Sequence, residues 1–302
     1  LSPDMISEPN INLLVKPSMN AGEVYRELAT VFKGCGIETA KLDARLLVCD
    51  AIQMSHEDFV NFPERLVSEI ELNVLRENGR RRVEREPVSR ILGQRDFWSH
   101  TYRINESTLD SRPDTETVIM YLLEIISARG RQSEDLRIVD LGTGSGCILL
   151  SLLSELPCAF GLGTDIIDDA LDVAKVNCLS LGLENRTKFI KSDWWANVGG
   201  EFDIIVSNPP YIKQEEIENL EREVSVHDPL IALDGGKDGL RAYKEIISPI
   251  KDYLTSEGIV VVEIGMDQKE QVESLFRRSD LEIIGAKRDL IGNNRCVAAK
   301  MR

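Results

Sequence analysis

The sequence predicts an α/β fold, a seven-stranded mixed sheet of Rossmann-like type preceded by a small helical-bundle domain. Three observations carry that prediction. A β run at residues 136–140 enters the loop Leu141-Gly142-Thr143-Gly144-Ser145-Gly146, and an apolar helix follows from Cys147. This is the strand, glycine turn and helix of a nucleotide- or nucleoside-binding unit. Next, four β runs deliver Asp140, Asp165, Asp193 and Asn208 at regular spacing, at the strand ends where open α/β sheets bind ligands. Finally, the β runs at 281–286 and 295–299 have no long helix between them. They predict a terminal antiparallel hairpin, which sets the sheet apart from that of a dehydrogenase.

Length and composition frame the rest. The 302 residues give room for two domains, and 42% hydrophobic with 29% charged residues suits a folded globular chain. A formal net charge of -15 argues against a broad nucleic-acid surface, which needs clustered Lys and Arg. It favours a protein partner with a basic surface. The six cysteines include no Cys-x-x-Cys pair and read as buried free thiols; the three histidines are scattered, so no metal is expected. No apolar run is long enough to span a bilayer, and no signal peptide is evident. The chain reads as cytoplasmic, with a monomer as the default.

In chain order, residues 1–19 are polar, broken by Pro3, Pro9 and Pro17, and read as a flexible N-terminal arm. Residues 20–86 read as the helical domain. Val24, Leu28, Val31 and Phe32 mark a first helix that Gly34 and Gly36 end, and Ala40, Ala44, Leu47 and Ala51 mark a second. A third, over about 67–85, carries Ile70, Val74 and Leu75. Arg80-Arg81-Arg82 with Arg85 alternates with Glu77, Glu84 and Glu86. It reads as a solvated helix face, a docking surface being the alternative. Residues 87–110 form a connector read as a β-hairpin, with strands at 87–93 and 97–104. The last domain spans 111–302. Its first helix begins at Pro113, with Asp114 and Glu116 favouring the first turn.

Within that domain the chemistry concentrates at the strand ends. Glycines at 142, 144 and 146 permit a tight turn and close backbone approach to a ligand. Alone, this pattern also fits a nicotinamide site or a plain turn. Asp140, directly before the loop, would repel a pyrophosphate but can receive an ammonium group. Asp165, about 20 residues past the loop, is placed to accept ribose hydroxyls. After the strand at 187–191, Asp193 suits an exocyclic amine with Trp194 against the ring; both Trp194 and Trp195 also fit plain packing. The run at 202–207 ends in Asn208-Pro209-Pro210-Tyr211. Two prolines stop the strand there, leaving an amide, stiffly held carbonyls and a ring as a clamp for a planar polar group. Residues 213–228 read as a lid or helix, His227 as structural, and 258–265 as a central strand.

Asp140-Leu-Gly-Thr-Gly-Ser-Gly146 with Ser207-Asn-Pro-Pro-Tyr-Ile212 resembles class I S-adenosylmethionine-dependent methyltransferases acting on planar amide or amine nitrogens. Arg112-Pro-Asp-Thr-Glu116, Ser192-Asp-Trp194, Ala232-Leu-Asp-Gly-Gly-Lys-Asp-Gly-Leu240, Glu263-Ile-Gly265 and Asp289-Leu-Ile-Gly292 narrow the likeness. They are similar to the peptide chain release factor protein-(glutamine-N5) methyltransferases, from about residue 22 to residue 300. One departure is Leu109-Asp110-Ser111, where that family has apolar residues and a proline.

The resemblance implies a class I methyltransferase sheet, S-adenosylmethionine as cofactor, and transfer of a methyl group to the glutamine of the Gly-Gly-Gln motif of release factors. By motif, Asp140, Gly142, Thr143, Gly144, Ser145, Gly146, Asp165, Asp193 and Trp194 would hold the cofactor, with Asn208 at its border. Asn208, Pro209, Pro210 and Tyr211 would hold the glutamine, with Asn208, Pro209 and Tyr211 catalytic. The helical domain would recruit the release factor. No stable nucleic-acid partner and no membrane is implied. The alternative is a DNA or RNA base N-methyltransferase, since adenine-methylating enzymes share the Asn-Pro-Pro-Tyr stretch. That reading would call for base flipping wherever the target is paired.

Overall fold

The computed structural model describes residues 16–302. Most of the arm expected at residues 1–19 therefore lies outside the described residues. The chain divides into two compact units, the first ending at Gly93 and the second running from Gln94 to Arg302.

In the first unit, helix α1 (Ala21–Gly34) starts with a capping box: the Glu23 N–H donates to the Asn20 side chain, and the Glu23 carboxylate accepts the Asn20 N–H. Its Val24, Leu28 and Phe32 pack against Ala44 and Leu47 of α2 (Ala40–Ala51). A short helix α3 (His56–Asn61), which the sequence reading missed, follows a Ser55 cap. Helix α4 (Glu69–Val83) opens on a second capping box, Ser68 with Glu71.

The inward face of α4 differs from the expected one. Ile70 is 79% exposed and Val74 also faces solvent, while Leu72, Leu75, Asn78, Gly79 and Arg82 are buried. The physical reason is Asp43, a buried carboxylate on α2. The Arg82 Nε donates to it at 2.7 Å, and helical steps back from Arg82 pass through Gly79, Leu75 and Leu72. The arginine cluster is thus split: Arg80 lies on the solvated face with Glu77 and Glu84, while Arg82 is a core ion pair.

Residues 87–93 do not form the expected strand. They fold as helix α5 (Val88–Leu92), closed by Gly93 at φ 67°. Pro before and Gly after a short run is the signature of a helix, not of a strand. The hairpin lies just beyond it, in the second unit, as β1 (Gln94–Phe97) against β2 (His100–Arg103). Phe97 and Tyr102 are buried edge to face, and the Tyr102 hydroxyl is 2.8 Å from Ser151.

A 3₁₀ turn (Pro113–Thr115) then leads into α6 (Glu116–Ala128). The sheet is built from β3 (Arg137–Leu141), β4 (Phe160–Asp165), β5 (Thr187–Lys191), β6 (Phe202–Ser207), β7 (Leu254–Glu263), β8 (Leu281–Arg288) and β9 (Asn294–Met301). The seven strands run in the order β5-β4-β3-β6-β7-β9-β8, with β9 antiparallel to both its neighbours. Helices α7 (Cys147–Glu155) and α8 (Asp168–Ser180) follow β3 and β4. Between β6 and β7 come a 3₁₀ stretch (Gln214–Asn219) and short helices α9 (Arg222–Ser225), α10 (Leu230–Leu233) and α11 (Arg241–Ile247); α12 (Lys269–Arg278) follows β7.

Alternate residues of the central strands feed two cores. Ile138 and Val206 face Leu122, Leu149 and Leu153, whereas Val139 and Ile205 face Tyr243, Ile246 and Phe276. The chain begins the sheet at β3, moves outward to β5, and returns on the other side at β6. The strand order therefore reverses between β3 and β6, and loops leaving those carboxyl ends diverge to leave a crevice.

Candidate active site

That crevice is a cavity of about 780 Å3, in the range of roughly 300–1,000 Å3 that accommodates a drug-sized ligand. Its wall includes Gly142, Thr143, Gly144, Ser145, Asp165, Asp193, Trp194, Asn208 and Pro210. Nine residues singled out from the sequence thus meet around one space. Asp140, Gly146, Pro209 and Tyr211 stand behind that wall.

The glycine loop is shaped from its backbone. Gly142, Gly144 and Gly146 have φ of 73°, 54° and 80°, a region that disfavours side chains. At Gly144 a Cβ would meet nothing within 4 Å, so that position is set by backbone conformation and stands open to a ligand. The loop is tied to β4 at two points: the Thr143 N–H donates to the Thr164 carbonyl at 2.8 Å, and the Gly144 N–H to the Asp165 carboxylate at 2.9 Å. Gly163 makes room below, since a Cβ there would come within 2.6 Å of the Phe189 ring. Asn177 of α8 adds a tie that no sequence motif announces: its amide donates to the carbonyls of Ser145 and Arg103.

The acids divide by environment. Asp140 is 1% exposed; Oδ2 accepts from the Thr143 hydroxyl at 2.7 Å and Oδ1 has no partner. Burial pushes its carboxyl up to about 7. An ammonium on this carboxyl would satisfy the orphaned oxygen, although its place is behind the cavity wall. Asp165 faces the cavity, and its second oxygen accepts the Ile167 N–H at 3.0 Å; burial raises its carboxyl above the usual range. Asp193 and Trp194 share the cavity rim, with Trp194 at φ 47°. Trp195 also lines the cavity, but its ring is anchored inward. Trp195 points its indole N–H at the Ile246 carbonyl and stacks on Tyr253 at 4.1 Å, so its ring packs into the core.

At the other end, Ser207 fastens β6 to β3 by donating to the Leu141 carbonyl at 2.6 Å. Asn208 follows, and its Nδ2 donates to the Thr115 hydroxyl at 3.3 Å. With the NH2 so engaged, Oδ1 is the group left to accept from a ligand. Tyr211 donates its hydroxyl to Glu263 Oε1 at 3.1 Å, and its carbonyl accepts from Gln268 at 2.9 Å. Burial raises the Tyr211 phenol, with the Glu263 charge adding to it. Behind the clamp, Arg112 pairs with the buried Asp228 at 2.6 Å, and Asp228 also accepts the Asp110 N–H. The atypical 109–111 stretch is held there, with Leu109 and Ser111 on the cavity wall. Sequence reading quoted Thr115 and Glu263 inside motifs without giving either a role, and passed over Asn177. A buried carboxyl at the end of a central strand was the one available signal, at Glu263.

Comparison with known families identifies the chain as a whole. Residues 23–93 match a family model described as the PrmC N-terminal domain, and residues 112–224 one described as the methyltransferase small domain. A release factor glutamine methyltransferase from Bradyrhizobium diazoefficiens is 41% identical over 276 residues, covering 91% of this chain and 93% of that one. A second, from Rhodospirillum rubrum, is 44% identical and covers 89% of this chain and 82% of its own. This chain belongs to the release factor glutamine methyltransferase family. A bifunctional methyltransferase from Rickettsia felis is 35% identical over 87% of this chain and 54% of its own length. Among solved structures, the hMettl16 catalytic domain, in complex with MAT2A 3′UTR hairpin 6, matches at TM-score 0.55 and 16% identity, over 82% of this chain and 90% of that chain. That likeness shows the fold of the family. The expected class I methyltransferase sheet, with its helical unit ahead of it, is what the chain adopts.

Proposed function

We propose that this enzyme transfers a methyl group from S-adenosylmethionine to the side-chain amide nitrogen of the glutamine in the Gly-Gly-Gln motif of peptide chain release factors. The observation that carries the reading is the junction of two half-sites in one cavity. The glycine loop, Asp165, Asp193 and Trp194 line one part, and Asn208, with its NH2 held by Thr115, lines the other. The cavity volume, the open face of Gly144 and the acids at the strand ends fit a nucleoside-bearing cation. When bound, S-adenosylmethionine supplies an electrophilic methyl group.

The chain's own part is to bind and orient. An amide nitrogen is a weak nucleophile because its lone pair is delocalised into the carbonyl. The Asn208 Oδ1 and the Pro209 carbonyl accept the two amide hydrogens, which aims the nitrogen and opposes delocalisation. Tyr211, anchored through its hydroxyl on Glu263, stiffens the clamp from behind. Preorganised polar contacts and orientation supply most of such a rate enhancement. Two carboxyls are held near neutrality by burial, Asp140 and Glu263. Both stand behind the clamp and loop, so the late proton goes to water.

The net charge of -15 favours a protein over a nucleic-acid substrate, and among the described residues no helix is long and apolar enough to cross a membrane. We infer a cytoplasmic monomer, which sedimentation tests. A labelled-methyl assay offering release factor, DNA and RNA side by side tests the substrate. Label on the release factor glutamine is expected; label on nucleic acid alone would overturn the reading.

A further inference from the structure

We propose that Gln268 is a positioning residue for methyl transfer, fixing the backbone of the acceptor clamp through the carbonyl of Tyr211. The inference rests on the glutamine-methylating function proposed above and assigns a role behind that site. The clamp needs outside support because of its own composition. Ladder pairing of β6 stops at Ser207, opposite Val262, and the chain is next bridged at Ile212, to Asp234. Between those points Pro209 and Pro210 have no N–H to give, and the Pro209 carbonyl is reserved for the substrate amide. The tie falls on Tyr211, whose carbonyl accepts from the Gln268 Nε2 at 2.9 Å.

Gln268 is 8% exposed, and its whole amide is engaged. Nε2 donates to the Tyr211 carbonyl and also to the Gly239 carbonyl at 3.2 Å. Oε1 accepts the Gly265 N–H at 3.0 Å and, at 3.3 Å, a share of the Tyr243 hydroxyl hydrogen. A side-chain amide offers two donors at one end and two acceptor sites at the other, and a buried polar group with every partner in place is rigid. Gln268 is also the N-cap of α12, yet its side chain makes no cap bond. Ser, Thr, Asp or Asn would serve the helix better there. What the longer amide adds is reach to the clamp.

The backbone around that bond is packed to match. A Cβ on Gly239 would lie 2.5 Å from the Gln268 Nε2 and 2.6 Å from the Tyr211 oxygen, and one on Gly235 would lie 2.9 Å from the Tyr211 Cα. The chain leaving the clamp is latched to the same loop: the Ile212 N–H donates to the Leu233 carbonyl at 3.0 Å, and the Gly235 N–H donates to the Ile212 carbonyl at 2.8 Å. Gly235 and Gly239 thus let the loop close on Tyr211, with the Gln268 amide joining loop, clamp and the end of β7. The Tyr211 hydroxyl is fixed separately, on Glu263. Ring and backbone are therefore held by different groups, and the backbone tie is the one that acts on the chain carrying the Pro209 carbonyl.

The experiment compares wild type with Gln268→Met, which keeps length but removes every one of these bonds, and with Gln268→Glu, which keeps shape and acceptors but turns a carboxyl oxygen onto the two carbonyls. Phe276→Leu, a core change near the far end of α12, serves as control, since it loosens the same helix and leaves the amide in place. For each protein kcat and KM are measured with a release factor, cofactor affinity by titration, and the melting temperature without cofactor. Both Gln268 variants should lower kcat by about tenfold or more, while KM for the release factor and cofactor affinity each move by less than about threefold. Phe276→Leu should lower the melting temperature yet keep kcat within about twofold. If Gln268→Met proves unfolded, Gln268→Glu decides; failure of both to fold would make the residue structural and overturn the proposal. So would wild-type-like kcat in Gln268→Glu, a loss carried by KM or by cofactor affinity, or an equal loss of kcat in Phe276→Leu. Variants that match an active wild type sink this role alone. A wild type that does not methylate the release factor sinks the function, and this role with it.

Discussion

Replacing Asn208 by alanine tests the centre of the mechanism. The side chain has one engagement with the protein, the 3.3 Å bond to Thr115, near the long limit for a hydrogen bond. Its removal therefore costs little in folding, at most about 1 kcal/mol. What is lost is a prepositioned acceptor aimed at the reacting amide. Removal of a comparable preorganised group costs roughly 10²–10³ in kcat, about 2.7–4 kcal/mol. Asn208→Ala should thus lower single-turnover transfer at saturating release factor a hundredfold or more, on the order of that figure. Cofactor affinity, measured separately by titration, should weaken far less, because Gly142 to Ser145, Asp165, Asp193 and Trp194 remain. A thermal melt confirms that the fold persists. Transfer within about twofold of wild type, read as free energy, would refute the clamp.

Three further outcomes follow from the geometry. Arg82→Met should destabilise the helical unit by about 3–5 kcal/mol, because it strands the buried Asp43 carboxylate; a loss below about 1 kcal/mol in a denaturant melt would mean the pair is not needed. Asp140 and Glu263 are raised from 3.8 and 4.5 to about 7, so the folded chain binds more protons than the unfolded one between those values. Their contribution is full below about pH 4 and is lost as pH rises through about 7, on the order of 3 kcal/mol for each group; Asp140→Asn should flatten the fall in melting temperature between those limits, and a steeper fall would contradict the sign. Gly163→Ala should cost about 1–3 kcal/mol and displace the glycine loop, since its Cβ would lie 2.6 Å from the Phe189 ring and 3.1 Å from Thr143 Cγ2; weaker cofactor binding with a lower melting temperature is the expected pair of readings.

Much of the site was legible because its signals are local. The glycine loop announces its own positive φ values, the aspartates fall at strand ends by spacing alone, and two prolines stop β6 at Asn208. Where reading went astray, the deciding partner was distant or the local signal was outweighed. Ile70 and Val74 have good helical spacing, yet Asp43 on another helix rotates α4 so that Arg82 faces inward. The run at 87–93 looked β-rich, but Pro87 and Gly93 close it as a helix. Trp194 and Trp195 are indistinguishable in sequence; both line the cavity, and only the distant Tyr253 and the Ile246 carbonyl make Trp195 the anchored one.

The sequence by itself determined the family and the order of the sheet's strands, and it named the residues of both proposed half-sites, since each is written in a short stretch with its own backbone requirements. Only the tertiary structure decided how the half-sites are held. Asn208 is oriented by Thr115, ninety-three residues away, and Tyr211 by Glu263, fifty-two residues away. Such pairings depend on which strands become neighbours at the reversal between β3 and β6. That is a property of the whole sheet's burial, which no local pattern records.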